Sequence, residues 1–337
     1  MKPAVANEIG KAYGLQIRHL REPQTGYRSQ VWPVLLKDGR TLTIILYKNE
    51  PRIVDRMKRA NEVGDFIASQ GLPARQTFDP RILRLRSYGT TRYAALYYYL
   101  EGHTIPWEAY TMDHLKLLGW VLGAMHTRLR QQHFHLTTVV SEYQKIISRM
   151  SVYFERREVI QAMESKLALR LSVDFDALEE LLNSCDNLPG QQALHMDFVR
   201  GNVLYKPASS RAPFVLGNYE LSGILDFEKT AYGHPTFDVA RTLAFLLVDC
   251  KYKPEAKIRK YFLESGYVKR GQQHFSADSL FEQLVSLFLV YDFYKFLRHN
   301  PYESLIHNEH FERTKLLLIK RRLLSPTGVK MKLTINT

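Results

Sequence analysis

Cysteine is scarce, with Cys185 and Cys250 the only two in 337 residues. They lie far apart and lack metal-ligand spacing, which excludes a disulfide framework and a zinc module and fits a reducing compartment. Long apolar runs are missing too. The longest, Leu284 to Leu297, is broken by Ser286, Asp292 and Lys295, whereas a membrane span needs about 20 mostly apolar residues. The opening Met1-Lys2-Pro3-Ala4-Val5-Ala6-Asn7-Glu8 has no apolar segment behind its charge, so no secretory signal is expected and the chain reads as cytoplasmic. Acidic residues are in deficit, 34 Asp and Glu against 47 Lys and Arg, for a formal charge of +13. That field either favours anionic partners or is simply a solvated basic surface. The basic residues are scattered rather than clustered with aromatics, and no nucleic-acid motif accompanies them, so specific nucleic-acid binding is not expected.

What is present is enough apolar residue for a sizeable core, 45% of the chain, arranged in two styles. Up to about residue 101 the pattern is β-rich. Val31 to Leu36 and Leu42 to Tyr47 flank Lys37-Asp38-Gly39-Arg40, and Asp-Gly between apolar runs signals a hairpin. Ile53, Val54, Met57, Val63, Phe66 and Ile67 recur at helical spacing until Gly71 and Pro73 end the helix. Two further strands are expected around Ile82–Tyr88 and Tyr93–Leu100. Beyond Glu101-Gly102 the chain turns helical. Leu115, Leu118, Leu122, Met125 and Leu129 form one stripe, with Thr111 or Asp113 as its cap. Helices are also expected at 140–171, 175–182, 237–248, 280–297 and 310–324, with a β insertion near Val203–Tyr205 and Gly223–Phe227. The fold class is therefore α+β, with a small β-rich lobe over residues 1–101 and a larger helical lobe over 102–337. The basic tail around Lys320-Arg321-Arg322, Lys330 and Lys332 is expected to fray.

The segment that carries chemistry is Leu194-His195-Met196-Asp197-Phe198-Val199-Arg200-Gly201-Asn202-Val203-Leu204-Tyr205, followed downstream by Gly223-Ile224-Leu225-Asp226-Phe227-Glu228. Phosphoryl transfer from ATP explains these residue types, because it asks the protein for positioning and charge neutralisation more than for covalent chemistry. Asp197 is the candidate base that accepts the proton of an attacking hydroxyl. Mg²⁺ takes hard oxygen ligands, and Asn202 and Asp226 supply a carbonyl and a carboxylate across a short hairpin. His195 belongs to the same catalytic loop, where it braces Asp197. The bland alternative is a turn held by Asp197 and Asn202, with Asp226 ending a strand.

These motifs resemble the aminoglycoside phosphotransferase and choline kinase-like small-molecule kinases, which share the protein kinase fold. Leu118-Gly119-Trp120-Val121-Leu122-Gly123-Ala124-Met125-His126 is similar to the family's helix ending in histidine. Gly233-His234-Pro235-Thr236-Phe237-Asp238-Val239-Ala240-Arg241 is similar to its helix start after the metal-binding Asp, which makes Asp238 structural. The resemblance implies a two-lobed kinase-like fold, ATP and Mg²⁺ as cofactors, and a small-molecule hydroxyl as acceptor. It also implies an interlobe hinge at Tyr98-Tyr99-Leu100-Glu101-Gly102, where the backbone of Tyr99 and Glu101 would hold adenine. The phosphate-covering turn would be Thr25-Gly26-Tyr27-Arg28-Ser29-Gln30, with Gly26 and Ser29 as contacts; a single glycine fits a simple turn equally well.

The sequence departs from the family at the phosphate-binding lysine. In Thr43-Ile44-Ile45-Leu46-Tyr47-Lys48 the lysine position is taken by Ile45, and Lys48 comes three residues later. An odd offset reverses the face of a strand, so Lys48 is either a phosphate ligand in a shifted register or an exposed strand-end charge. Glu62 is its candidate partner, or else a solvated helix charge. Residues Lys206 to Pro213 enlarge the loop between the two metal ligands. No Ala-Pro-Glu segment follows Asp226, which disfavours a protein substrate. The net charge disfavours a polycationic acceptor, although Glu228, Asp249 and Asp292 offer local acidity. A kinase-like nucleotide-binding regulator with little transfer activity is the alternative reading.

Overall fold

The computed structural model describes residues 3–25, 29–87, 89–209 and 212–327. Helix α1 (Pro3–Ala12) leads into β1 (Ile17–Leu20), β2 (Gln24–Thr25), β3 (Ser29–Leu36) and β4 (Thr41–Lys48). The Asp-Gly hairpin forms as expected, with Leu35 opposite Thr41 and Ser29 opposite Tyr47, and Arg40 N donates to Asp38 Oδ1 at 3.0 Å. Helix α2 (Ile53–Ser69) crosses to β5 (Thr77–Ser87) and β6 (Thr90–Tyr98). Among the described residues the sheet has six strands in the order β1-β3-β4-β6-β5, with β2 on β3. Strand β5 starts five residues before the expected Ile82. It is an edge strand, and its register breaks between Asp79 and Leu83, so Pro80 costs no central ladder bond. Alternation sorts β4 into two faces. Leu42, Ile44 and Leu46 pack with α1, while Ile45 and Tyr47 pack toward α2 with Ala95 and Tyr97.

The C-terminal part is mainly helical. Helix α3 (Met112–Leu129) starts at Thr111, whose Oγ1 accepts from His114 N at 3.3 Å, while Thr111 N donates back to His114 Nδ1 at 2.9 Å. Histidine here takes the place that Glu or Gln holds in a usual capping box. The single helix expected over 140–171 is two, α4 (Val139–Phe154) and α5 (Arg157–Leu167). They are separated at Glu155-Arg156, and Ala168 adopts a left-handed φ of 52° before the short strand β7 (Leu169–Leu171). After α6 (Phe175–Asp186) come β8 (Gln192–Leu194), β9 (Val203–Pro207), β10 (Val215–Leu216), β11 (Tyr219–Ile224) and β12 (Ala231–Gly233). Helices α7 (Thr236–Asp249), α8 (Glu255–Arg259), α9 (Ser279–His299), α10 (Tyr302–Leu305) and α11 (Glu309–Lys320) complete the core, and β13 (Leu324–Pro326) pairs with β7. The helix begun by α8 widens to π-type turns over Lys260–Arg270 and packs along α3; it was not expected from the sequence. The tail residues Lys330 and Lys332 lie outside the described residues.

Candidate active site

Strand β8 pairs with β12, Leu194 opposite Ala231, and delivers the chain into the His195–Asn202 loop. Asp238, in the first turn of α7, holds that loop by its backbone. Its Oδ2 accepts from His195 N at 2.8 Å and its Oδ1 from Met196 N at 2.5 Å. Its Oδ2 also meets His126 Nε2 at 3.1 Å, and His126 Nδ1 meets Tyr267 Oη at 2.8 Å. The ends of both motifs that resemble the kinase family therefore meet each other beneath the loop. Met196 is pinned at φ 60°, a left-handed conformation that a β-unbranched residue adopts only when its surroundings enforce it.

His195 is completely buried and lines no part of the cleft. Its Nδ1 accepts from Asp197 N at 3.2 Å, so Nε2 carries the hydrogen and donates to Leu225 O at 3.0 Å. Burial lowers its pKa, consistent with a neutral ring in that tautomer. His195 thus ties the Asp197 loop to the residue before Asp226 and is a positioning residue.

Asp197, Asn202 and Asp226 line one cleft of about 1140 Å³ between the sheet and the helices. Strands β9 and β11 pair with Val203 opposite Ile224, and Leu225 N donates to Asn202 O at 2.8 Å, so Asn202 and Asp226 stand side by side at the hairpin's open end. The Asn202 amide nitrogen donates to Asp197 O and Oδ2 at 2.9 and 3.2 Å, which leaves its carbonyl oxygen as an available ligand. Burial opposes the Asp197 charge, but Lys229 Nζ at 2.8 Å from Oδ2 prevails and keeps its pKa below the usual carboxylate value. Asp226 behaves oppositely. Burial, then the neighbouring Glu228 and Asp197, push it up to about 8, a crowd of carboxylates that a cation would relieve.

Around Glu228 lies a network that sequence reasoning missed. Arg75 Nη2 is 2.9 Å from Glu228 Oε1, Tyr47 Oη donates to Glu228 Oε1 at 2.6 Å, and Tyr97 Oη donates to Asn61 Oδ1 at 2.9 Å. Burial would raise Glu228, yet Arg75 holds it well below the ordinary range. The signal for Tyr47 was its parity with Ile45 on β4. Arg75 follows no motif and had none.

The remaining expected contacts divide. Ser29, at the start of β3, and Tyr99 line the cleft. Glu101 does not. Its carbonyl accepts from Ser222 Oγ at 2.7 Å, and its side chain borders a smaller neighbouring cavity, 3.7 Å from Lys206 Nζ. Lys48 stands exposed at the rim, on the Leu46 face of β4. Glu62 lies on the solvent side of α2, outside the cleft and in no ion pair among the described residues. The face reversal at Lys48 and the outward turn of the helix at Glu62 keep this pair from forming. Gly26 lies outside the described residues. In the helical half of the cleft each acid has a cation. Asp249 has Arg200 at 3.1 Å and His310 at 3.3 Å, and Asp292 has Lys295 at 2.6 Å and Arg241 at 3.2 Å.

Residues 19–252 match the phosphotransferase enzyme family (APH), more than half of the chain. The chain belongs to the phosphotransferase enzyme family. It is 23% identical over 262 residues to hydroxylysine kinase of Danio rerio, an alignment covering 73% of this chain and 70% of that protein. Its structure is similar to amicoumacin kinase hAmiN in complex with AMP-PNP, Ca²⁺ and Ami, with a TM-score of 0.68 at 11% identity over 93% of each chain. A microcompartment-associated aminopropanol kinase aligns with a TM-score of 0.58 at 10% identity, over 96% of this chain and all of that one. These likenesses establish the kinase-like fold, with its sheet-based N-terminal lobe and helical C-terminal region. The chain is thus a small-molecule kinase of this family. No helix among the described residues is long and apolar enough to cross a membrane.

Proposed function

We propose that this family member transfers the γ-phosphoryl group of ATP, with Mg²⁺, to a hydroxyl of a small acceptor that is not polycationic. The observation that carries this reading is the convergence of Asp197, Asn202 and Asp226 on one cleft bordered by Tyr99 and Ser29. The donor set suits Mg²⁺, which takes one or two carboxylates and fills its remaining positions with water and substrate phosphates. Asn202 Oδ1 and the Asp226 carboxylate would hold the ion, and its charge would neutralise that developing on the transferred group.

Asp197 is the base. It is 6% exposed and ionised, with its orientation fixed by Asn202 and its backbone by His195. Lys229 lies against the same carboxylate, so an entering hydroxyl competes with or shares that contact. The hinge at 98–102 supplies the adenine edge through Tyr99 and Leu100, and the boundary between lobes falls at residues 101 and 102. Glu62 and the Glu101 side chain lie outside the cleft, and Lys48 stands only at its rim.

The acceptor's character follows from charge. In the helical half of the cleft Lys229 is paired with Asp197, Lys295 with Asp292 and Arg200 with Asp249. Acids already paired in this way offer a polycation little to bind, and a neutral or zwitterionic alcohol fits better. The relatives that act on hydroxylysine and aminopropanol, by their names, make hydroxy amino acids and amino alcohols the first acceptors to try. ATP consumption is to be measured with these and with aminoglycosides, beside Asp197→Asn. We expect turnover with a small alcohol and a loss of about 10²–10⁴-fold in the variant. Undiminished turnover in Asp197→Asn removes the base assignment, and a preference for aminoglycosides refutes the charge argument.

A further inference from the structure

We propose that Arg75 takes the place of the missing strand lysine and holds the α- and β-phosphate oxygens of the nucleotide through its guanidinium fork. This inference rests on the phosphotransfer reading above. The cleft face of β4 presents Thr43, Ile45 and Tyr47, with Lys48 reaching only the rim at the strand's end, so Ile45 stands where the family's lysine is expected. The cation comes instead from the segment after α2. Arg75 N donates to Ile224 O at 2.8 Å, next to the metal-ligand hairpin. Gly64 of α2 lies so close that a Cβ there would sit 2.6 Å from the Arg75 carbonyl oxygen. The backbone of Arg75 is thereby fixed between α2 and β11.

The side chain is held as firmly. Its guanidinium lies over the Tyr97 ring, 4.6 Å from the centroid. Nη1 donates to Tyr47 Oη at 3.3 Å, and Nη2 is 2.9 Å from Glu228 Oε1. A guanidinium has five N–H donors, and the Nη1 bond is the one side-chain hydrogen bond it makes among the described residues. Nη2 is buried in its ion pair with Glu228, and beyond that pair and the Nη1 bond the fork's N–H donors have no protein hydrogen-bond partner among the described residues. A planar fork matches phosphate oxygens in pairs. Arg75 lines the same cleft as Asp226 and Lys229, so its spare donors stand beside the atoms assigned to the metal. Glu228, Tyr47 and Tyr97 position the fork, as an acidic helix residue would position a lysine.

Calorimetric titration with ADP and with adenosine, both in Mg²⁺, separates phosphate recognition from adenine recognition. Arg75→Gln keeps a donor for Glu228, and Arg75→Met with Glu228→Gln removes both charges together, so that neither variant leaves a bare buried carboxylate. We expect ADP affinity to fall at least tenfold in each while adenosine affinity stays within twofold, with Arg75→Lys recovering most of the loss. Cooperatively melting variants that keep the wild-type ADP-to-adenosine ratio would overturn the assignment. So would a tenfold loss on Lys48→Met with none at Arg75, which returns the role to the strand. A wild-type protein that binds neither ligand sinks the phosphotransfer reading itself, and this inference with it.

Discussion

Asp197 and Asp226 are two carboxylates in one cleft whose environments drive them apart. Lys229 keeps the first ionised, while burial and Glu228 favour the proton on the second. Such divergence between neighbouring acids supports the proposal that one accepts a proton and the other holds a cation. It also sets the outcome of Asp226→Asn. A group whose folded pKa is raised opposes folding in its charged form, so removing the charge relieves the metal-free protein. We expect Asp226→Asn to melt at a higher temperature than wild type without nucleotide, and to lose the added stabilisation from MgATP. A variant that MgATP protects as well as it protects wild type would show that Asp226 is no ligand. His195 was legible as part of the loop from its motif. That it faces Leu225 rather than the cleft was not legible, because the tautomer and direction of a ring depend on partners that the chain brings in from 30 residues away.

At the scale of elements, alternation and spacing read well where one face of an element is buried. The Asp-Gly hairpin, α2, α3, α7 and α9 all follow the apolar pattern. Breaks inside a helical pattern read poorly. Nothing in Glu155-Arg156 resembles a proline or glycine stop, and the chain turns there because α4 and α5 pack separately against the core. The cap of α3 holds a pH-sensitive contact. His114 Nδ1 must be unprotonated to accept from Thr111 N, and burial lowers its pKa to about 4. Since its folded value lies below the ordinary 6.5, the unfolded chain binds a proton that the folded chain refuses. Its contribution is therefore complete above pH 6.5 and declines as the pH falls from 6.5 to 4. His114→Gln, which restores the usual capping-box residue, should flatten the urea-midpoint profile across that window. An unchanged slope would place the acid sensitivity elsewhere.

At the scale of the whole molecule, the chain passes from the sheet to the helical region through residues 98–102, beside the contact of α2 with the Phe227–Lys229 turn. Gly102 has φ 123°, and a Cβ there would lie 2.4 Å from Ser222 Oγ and 2.8 Å from the Tyr205 carbonyl oxygen. On either side, Ser222 bonds to Glu101 O, and His103 pairs with Tyr205 through two bonds of 3.0 Å. Gly102→Ala should cost about 1–3 kcal/mol from backbone strain, read as a lower urea midpoint. It should also weaken nucleotide binding, because Tyr99 and Leu100 lie within three residues of the strained position. Stability equal to wild type would mean that the hinge has another conformation open to it. The same scale accounts for the fate of the surface charge. The excess of Lys and Arg is visible in the composition, but only the fold shows that Arg200, Arg241, Lys229 and Lys295 are spent on acids inside the cleft.

Local chemistry determined what could be read in advance. Asp197 and Asn202 in one loop and Asp226 after the return strand are brought together when a hairpin joins them, and period-two and helical patterns state which faces are buried. The tertiary structure alone decided which cation and which acid complete the cleft. Arg75 and Glu228 are 153 positions apart, and no spacing rule links residues that meet only because α2 packs on the Phe227–Lys229 turn.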